Sequence, residues 1–171
     1  MPKGARGTHP LDLHLTLRFL GPLGPEQLDR VELAAQSVAD LSPAPLCIDR
    51  LGHFSRAGVL WAGPTVPSAG LLRLVARLDA ALGTQGLPPD ARPFRAHITL
   101  ARKVRHPPPL VWGRPVPWLA GELVLAAGRA GQVPRYLVRR SWALSGPLAD
   151  PLECPSPGET PAGHRSGVPQ A

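Results

Sequence analysis

The sequence predicts an α+β fold made of two similar halves. Apolar alternation and helical spacing interleave in the order βα-ββ-α-βββ. The tetrad His14-Leu15-Thr16-Leu17 returns as His97-Ile98-Thr99-Leu100, so a His-x-Thr strand opens each half. The interval between the copies is too long for a solenoid repeat and suits two lobes that face each other. A hydrophobic fraction of 43% in 171 residues supplies the core of one domain.

Residues 1–11 carry no periodic pattern. Residues 13–20 predict the first strand, with Leu13, Leu15, Leu17 and Phe19 on one face and His14, Thr16 and Arg18 on the other. Gly21-Pro22-Leu23-Gly24 turns the chain, and Pro25 and Glu26 open a helix that runs to about Asp40, where Ser42-Pro43 stops it. Residues 45–51 predict a second strand, residues 52–58 a glycine-bounded loop and residues 59–62 a third strand. The second helix covers about 68–82 on a stripe of Leu71, Leu74, Val75, Leu78 and Leu82, with Gly83 as its stop. The second tetrad lies on a strand over 94–102. Residues 117–126 and 135–144 predict a last pair of strands joined as a hairpin through Gly128-Arg129-Ala130-Gly131. The domain therefore spans 1–146, and the Pro- and Gly-rich residues 147–171 form a disordered tail.

The net charge is +7 and arginine dominates it. Guanidinium groups match phosphate oxygens, which favours a polyanionic partner. A chain rich in Arg, Pro, Ala, Leu and Gly also carries such a charge by composition alone. Cys47 and Cys154 form neither a disulfide framework nor a metal spacing, which fits a reducing cytoplasm. No apolar run is long enough for a transmembrane helix, and the N-terminus lacks the apolar segment of a signal peptide.

On a strand, the His and Thr of each tetrad share one face and the aliphatics take the other. Two copies placed opposite each other would set two imidazoles and two hydroxyls around one cleft. Histidine can act as acid or as base at neutral pH, which equips such a cleft for acid/base chemistry on a small anion. His-x-Thr lacks the ligand density of a zinc or magnesium site, so no metal and no cofactor is expected.

The stretches Leu13-His14-Leu15-Thr16-Leu17-Arg18-Phe19-Leu20-Gly21, Leu51-Gly52-His53-Phe54, Val59-Leu60-Trp61-Ala62-Gly63 and Arg92-Pro93-Phe94-Arg95-Ala96-His97-Ile98-Thr99-Leu100-Ala101-Arg102 together resemble the 2H phosphoesterases. The branch they are most similar to is the RNA 2′,3′-cyclic phosphodiesterases, also called 2′-5′ RNA ligases. The likeness covers about residues 12–145, with a weaker match in the last hairpin at Leu123, Gly131 and Tyr136.

The resemblance implies two pseudo-symmetric lobes of antiparallel sheet with outer helices around a central cleft. It implies hydrolysis of RNA 2′,3′-cyclic phosphodiester ends to 2′-phosphomonoesters, and the protein is expected to be a cytoplasmic monomer. The resemblance makes His14 the proton donor and His97 the proton acceptor, with Thr16, Thr99 and Arg102 as phosphate contacts. Strict alternation puts Arg102 on the apolar side, so it reaches the cleft only if the strand ends or bulges after Thr99. Arg18 and Lys103 share the motif face and are weaker phosphate candidates. Phe54, an apolar ring in a loop, is a base-stacking candidate. His53 reads as a surface loop residue and Trp61 as strand core. Two alternatives stand beside this reading: a non-catalytic RNA- or nucleotide-binding module, and a relative acting on 2′-5′ linkages.

The chain departs from the family pattern in three places. Relatives begin with a strand, a helix and a short strand before the first motif; here the motif arrives at residue 14, which implies a missing N-terminal segment and an exposed sheet edge. Gly58 stands where relatives often carry Arg, and Ala126-Ala127 where they tend to carry Ser.

Overall fold

The computed structural model describes residues 4–90, 92–107, 109–111, 113–148 and 154. Eight strands and two helices follow in the order β1 (Arg6–Gly7), α1 (Pro25–Gln36), β2 (Ala44–Ile48), β3 (Arg50–Phe54), β4 (Val59–Gly63), α2 (Ala69–Thr84), β5 (Ile98–Arg102), β6 (Val116–Ala120), β7 (Glu122–Gly128) and β8 (Tyr136–Ala143). Among the described residues, every strand pairing is antiparallel. One sheet has the order β1-β5-β4-β3, and β2-β6 and β7-β8 form two-stranded sheets. The α+β class with antiparallel sheets is the one the sequence predicts.

The helices form for the reasons the sequence supplies. Pro25 presets the first turn of α1, and the Gln27 side chain accepts from the Gly24 N–H at 3.0 Å. Val31, Ala34 and Ala35 are its buried face. It stops at Gln36, short of the expected end, where the Ser37 hydroxyl donates back to the Ala34 carbonyl. Ser68 caps α2 by accepting from the Leu71 N–H at 3.2 Å. The predicted stripe of Leu71, Leu74, Val75, Leu78 and Leu82 is its buried face. Each such leucine is worth about 1.5–3 kcal/mol. Gly83 lies inside α2, which runs on to Thr84, and the reversal falls at Gly86.

The two helices cover two joined cores. One gathers Val31, Ala35, Val38, Leu74, Leu78 and Leu82 with Leu123, Trp142 and Leu144 of the last hairpin. The other lies under β2, β4 and β5 and holds Leu46, Ile48, Ala62, Leu71 and Val75. Leu15, Leu17, Ile98 and Leu100, the aliphatics of the two tetrads, pack against the second core. The apolar side of both tetrads is therefore half-buried on the core side, while Leu13 and Phe19, expected on the same face, are exposed.

The element boundaries differ from expectation in ways that matter for the site. The strand expected over 13–20 reduces to one antiparallel bridge, Leu15 to Ile98. A 3-10 turn at Pro10–Asp12 lifts the chain off the sheet just before it, and Arg18 swings away just after it. The strand expected over 45–51 is two strands, β2 and β3, that belong to different sheets. The loop expected over 52–58 shrinks to a 3-10 turn at Ser55–Ala57, because Gly52, His53 and Phe54 pair with β4. Only Ile98–Arg102 of the span 94–102 is strand, and the span 117–126 breaks between β6 and β7.

The reading of the cysteines is corrected. Cys47 and Cys154 are joined in a disulfide, with Cα atoms 5.2 Å apart and a sequence separation of 107. That separation leaves no local pattern to read, and only the fold brings half-buried Cys47 of β2 to the partner. Of the tail expected to be disordered, Pro147, Leu148 and Cys154 are described; the rest of 147–171 lies outside the described residues. No helix among the described residues is long and apolar enough to cross a membrane.

Candidate active site

The site is organised by the Leu15–Ile98 bridge. Extending that antiparallel pair by one residue each way sets His14 against Thr99 and Thr16 against His97. All four polar side chains then share the face opposite the buried aliphatics. The two motifs thus form a pseudo-two-fold pair, each histidine beside the other motif's threonine. Diagonal neighbours in such a pair lie about 7–8 Å apart, room for one phosphate between the imidazoles.

Both imidazoles are anchored alike. His14 Nδ1 lies 2.7 Å from the carbonyl oxygen of Asp12, and His97 Nδ1 lies 2.7 Å from that of Arg95. A carbonyl can only accept, so each Nδ1 carries the hydrogen and donates it. Among the described residues, neither Nε2 has a protein hydrogen-bond partner. Among the described residues, neither threonine hydroxyl is taken by a protein partner.

The surroundings of the two histidines differ. The His14 ring meets Tyr136 edge-on, with centroids 4.7 Å apart. Tyr136 is held there by Asp12, whose carboxylate accepts from the backbone N–H groups of Arg135 and Tyr136 at 2.8 and 3.0 Å. One residue therefore orients His14 through its carbonyl and ties the β7–β8 hairpin to the motif through its carboxylate. Asp12 is buried. Burial by itself would raise its carboxyl, but the two N–H bonds, helped by the charges of His9 and His14, hold it below the ordinary 3.8.

His97 sits instead against a wall of aromatic rings. Phe54 lies edge-on to it at 5.2 Å and Trp61 at 6.4 Å, and the two wall rings pack on each other at 5.4 Å. The wall forms because Trp61 pairs across β3–β4 with Gly52. A Cβ on Gly52 would fall 2.0 Å from Trp61 Cζ2, so the indole lies flat on a residue that has no side chain. Phe54 is thus the end of a strand, packed and half-buried, rather than a loop residue. Trp61, expected in the core, is on the site face opposite Thr99. Beside Phe54, an open pocket of about 560 Å³ is lined by His53, Phe54, Ser55, Arg56 and Ala57. His53 points to the other face, where its Nε2 bonds the Val104 carbonyl at 2.9 Å.

Arg102 depends on an irregularity. Leu60 pairs with Ala101 but Trp61 pairs with Thr99, so Leu100 is an extra residue in β5. Leu100 and Ala101 both turn to the core, and Ala101 is 1% exposed. Alternation restarts one residue late, and exposed Arg102 falls on the face of Thr99 and Trp61. This bulge is the condition on which Arg102 could reach the cleft.

Arg18 does not belong to the site. With no strand to hold it, its side chain reaches Asp79 of α2 at 2.8 Å and the Pro88 carbonyl, and is itself 9% exposed. It fastens the first motif to α2. Lys103 lies past the end of β5 in a left-handed conformation, φ 59°, and is exposed.

A family model described as the 2′-5′ RNA ligase superfamily matches residues 4–125. The chain belongs to this superfamily. The RNA 2′,3′-cyclic phosphodiesterase of Escherichia coli K12 is 31% identical over 150 residues, which are 84% of this chain and 82% of that protein. The protein of the same name from Thermus thermophilus is 30% identical over 94% of this chain and 86% of its own length. Among solved structures, Escherichia coli LigT complexed with 3′-AMP superposes with a TM-score of 0.75 at 30% identity, covering 85% of this chain and 84% of that one.

Within this superfamily member, one departure from the family pattern has a local reason. Gly58 follows the 3-10 turn with φ 59° and donates to the Ser55 carbonyl, a left-handed position that disfavours a β-carbon. An arginine there would also need its Cβ 3.3 Å from the Val104 carbonyl oxygen. Sequence reasoning missed Asp12 and the role of Tyr136. Asp12 stands two residues before His14 in an unpatterned stretch; the signal available was a carboxylate beside the motif. Nothing in sequence shows that residues 135 and 136 return to it.

Proposed function

We propose that this protein hydrolyses RNA 2′,3′-cyclic phosphodiester ends to 2′-phosphomonoesters, with His14 as general acid and His97 as general base. The observation that carries the reading is the antiparallel bridge of the two motifs, with both Nδ1 atoms tied back to carbonyls. It leaves both Nε2 atoms and both threonine hydroxyls without a protein partner among the described residues. The relatives from E. coli and T. thermophilus carry the name of this activity over more than four-fifths of their length.

In this mechanism water attacks phosphorus while His97 Nε2 takes its proton. The P–O3′ bond breaks, and His14 Nε2 delivers a proton to the leaving 3′ oxygen. The phosphate remains on the 2′ oxygen. Thr16 and Thr99 donate to the non-bridging oxygens, and Arg102 binds substrate phosphate from the same face. Phe54 offers its exposed side, next to the 560 Å³ pocket, to the terminal base. The reaction belongs in the cytoplasm, with the protein acting as a monomer; the Cys47–Cys154 bond is the observation that runs against a reducing compartment.

The test is product identity. An oligonucleotide ending in a 2′,3′-cyclic phosphate, incubated with the protein, is expected to yield a 2′-phosphate by phosphorus NMR. A 3′-phosphate product would mean that the other P–O bond breaks and that the acid is misassigned. No turnover, with saturable binding retained, would mean a nucleotide-binding module.

A further inference from the structure

The edge of the four-stranded sheet carries an arrangement that the hydrolytic reading does not use. Arg6 of β1 and Arg102 of β5 are direct partners across the antiparallel ladder, and both are exposed. The pairing is secured on either side by Gly7 opposite Ala101 and by the Thr8 N–H donating to the Leu100 carbonyl at 2.8 Å. Directly opposed residues share a face, so Arg6 stands on the site face with Arg102. Like charges so placed repel and destabilise the pair. Among the described residues neither guanidinium has a carboxylate partner. Charge on an edge strand protects it from pairing with another chain, but Arg102 lies on the interior strand β5. Two like charges in direct opposition on a catalytic face call for an anion between them.

We propose that Arg6 is a substrate contact, and that Arg6 and Arg102 together hold the phosphodiester next to the reacting cyclic phosphate, so that the site selects oligonucleotide ends over cyclic mononucleotides. This rests on the hydrolytic reading of the His14/His97 cleft. With Leu100 as the extra residue, Thr99 and Arg102 are two register steps apart, about 7 Å at the rise of a strand. That span is comparable to the spacing of neighbouring phosphates along a single strand. One phosphate on the threonines therefore sets the next beside the arginine pair. Guanidinium forks suit a non-bridging pair of phosphate oxygens, and bound anion would relieve the repulsion that the free protein carries.

The experiment compares two substrates, adenosine 2′,3′-cyclic phosphate and the dinucleotide ApA ending in a 2′,3′-cyclic phosphate. Wild-type turnover of either tests the hydrolytic reading. The ratio of kcat/KM for the dinucleotide to that for the mononucleotide tests Arg6. Arg6→Gln is expected to lower that ratio about tenfold, and Arg6→Lys to restore most of it. Thermal stability of Arg6→Gln is expected to equal or exceed wild type, because a repulsion is removed. The same ratio read from equilibrium binding of 3′-phosphorylated mono- and dinucleotides decides the role of Arg6 with or without turnover. An unchanged ratio in Arg6→Gln, or equal losses on both ligands, overturns the proposal.

Discussion

Leu15 and Ile98 face each other across an antiparallel bridge, and that contact brings the two halves of the site together. It places His14 against Thr99 and His97 against Thr16 while both aliphatics go into the core. The catalytic face and the core face are thus set by one register. A shift of one residue would bury the imidazoles and expose the leucines.

Asp12 couples the first histidine to the last hairpin. Asp12→Asn keeps the backbone carbonyl that orients His14 but presents an amide that satisfies only one of the two N–H donors. It is expected to lower thermal stability and to lower kcat. The effect depends on pH in a defined direction. The Asp12 carboxyl sits below its ordinary 3.8 in the fold, so its contribution is complete above that value and is lost as pH falls through the folded value. The gap between the thermal melts of wild type and Asp12→Asn is expected to narrow as pH falls below 3.8; a gap that stays constant would show that the charge does not matter.

Gly52 is the seat of the aromatic wall. Gly52→Ala places a Cβ where Trp61 Cζ2 lies and forces the indole off its strand. The expected cost is about 1–3 kcal/mol in urea denaturation. Intrinsic tryptophan fluorescence shifts with it, and KM for a base-bearing substrate rises. A variant with wild-type fluorescence and KM would mean that the wall does not depend on Gly52.

The two arginines nearest the motifs separate by measurement. Arg18 is 9% exposed and bonded to Asp79, which is 42% exposed, so solvent screens the pair from one side. Arg18→Met is expected to cost about 1–3 kcal/mol of stability with kcat per folded molecule unchanged. Arg102→Gln is expected to do the reverse, with a melt equal to or above wild type and kcat/KM lowered about tenfold or more. Paired denaturation and kinetic assays on both variants check the assignment.

The disulfide closes a long loop, and a cross-link of that span constrains the unfolded chain strongly. Cys47→Ser, or reduction of the wild type, is expected to lower stability by about 2–4 kcal/mol. Calorimetry with and without reductant measures it, and titration of free thiols shows which state the purified protein holds.

The apolar half of each motif and the stripe of α2 were legible because burial imposes a period, and a period is visible in sequence. The site residues were legible only so far as alternation held. Arg102 sits where simple alternation forbids it, because Leu100 is an extra residue that only the partner strand reveals. Arg18 shares a face with His14 on paper, yet no strand forms there and the side chain goes to α2. Trp61 reads as core by residue type; its place depends on the absence of a side chain at Gly52, across the ladder. Asp12, Tyr136 and the Cys47–Cys154 bond are long-range relationships, and no local pattern encodes them.

The central claim is that one imidazole gives a proton and the other takes one across this cleft. The direct measurement is the pH dependence of kcat/KM for a 2′,3′-cyclic phosphate in wild type, His14→Ala and His97→Ala, with folding checked by circular dichroism. The expected wild-type profile is a bell. Each variant should fall by about 10²–10⁴-fold. His97→Ala should lose the acid limb, where the base must be neutral, and His14→Ala the alkaline limb, where the acid must be charged. A near wild-type rate in either variant, or an intact bell in its residual activity, would contradict the paired-histidine mechanism.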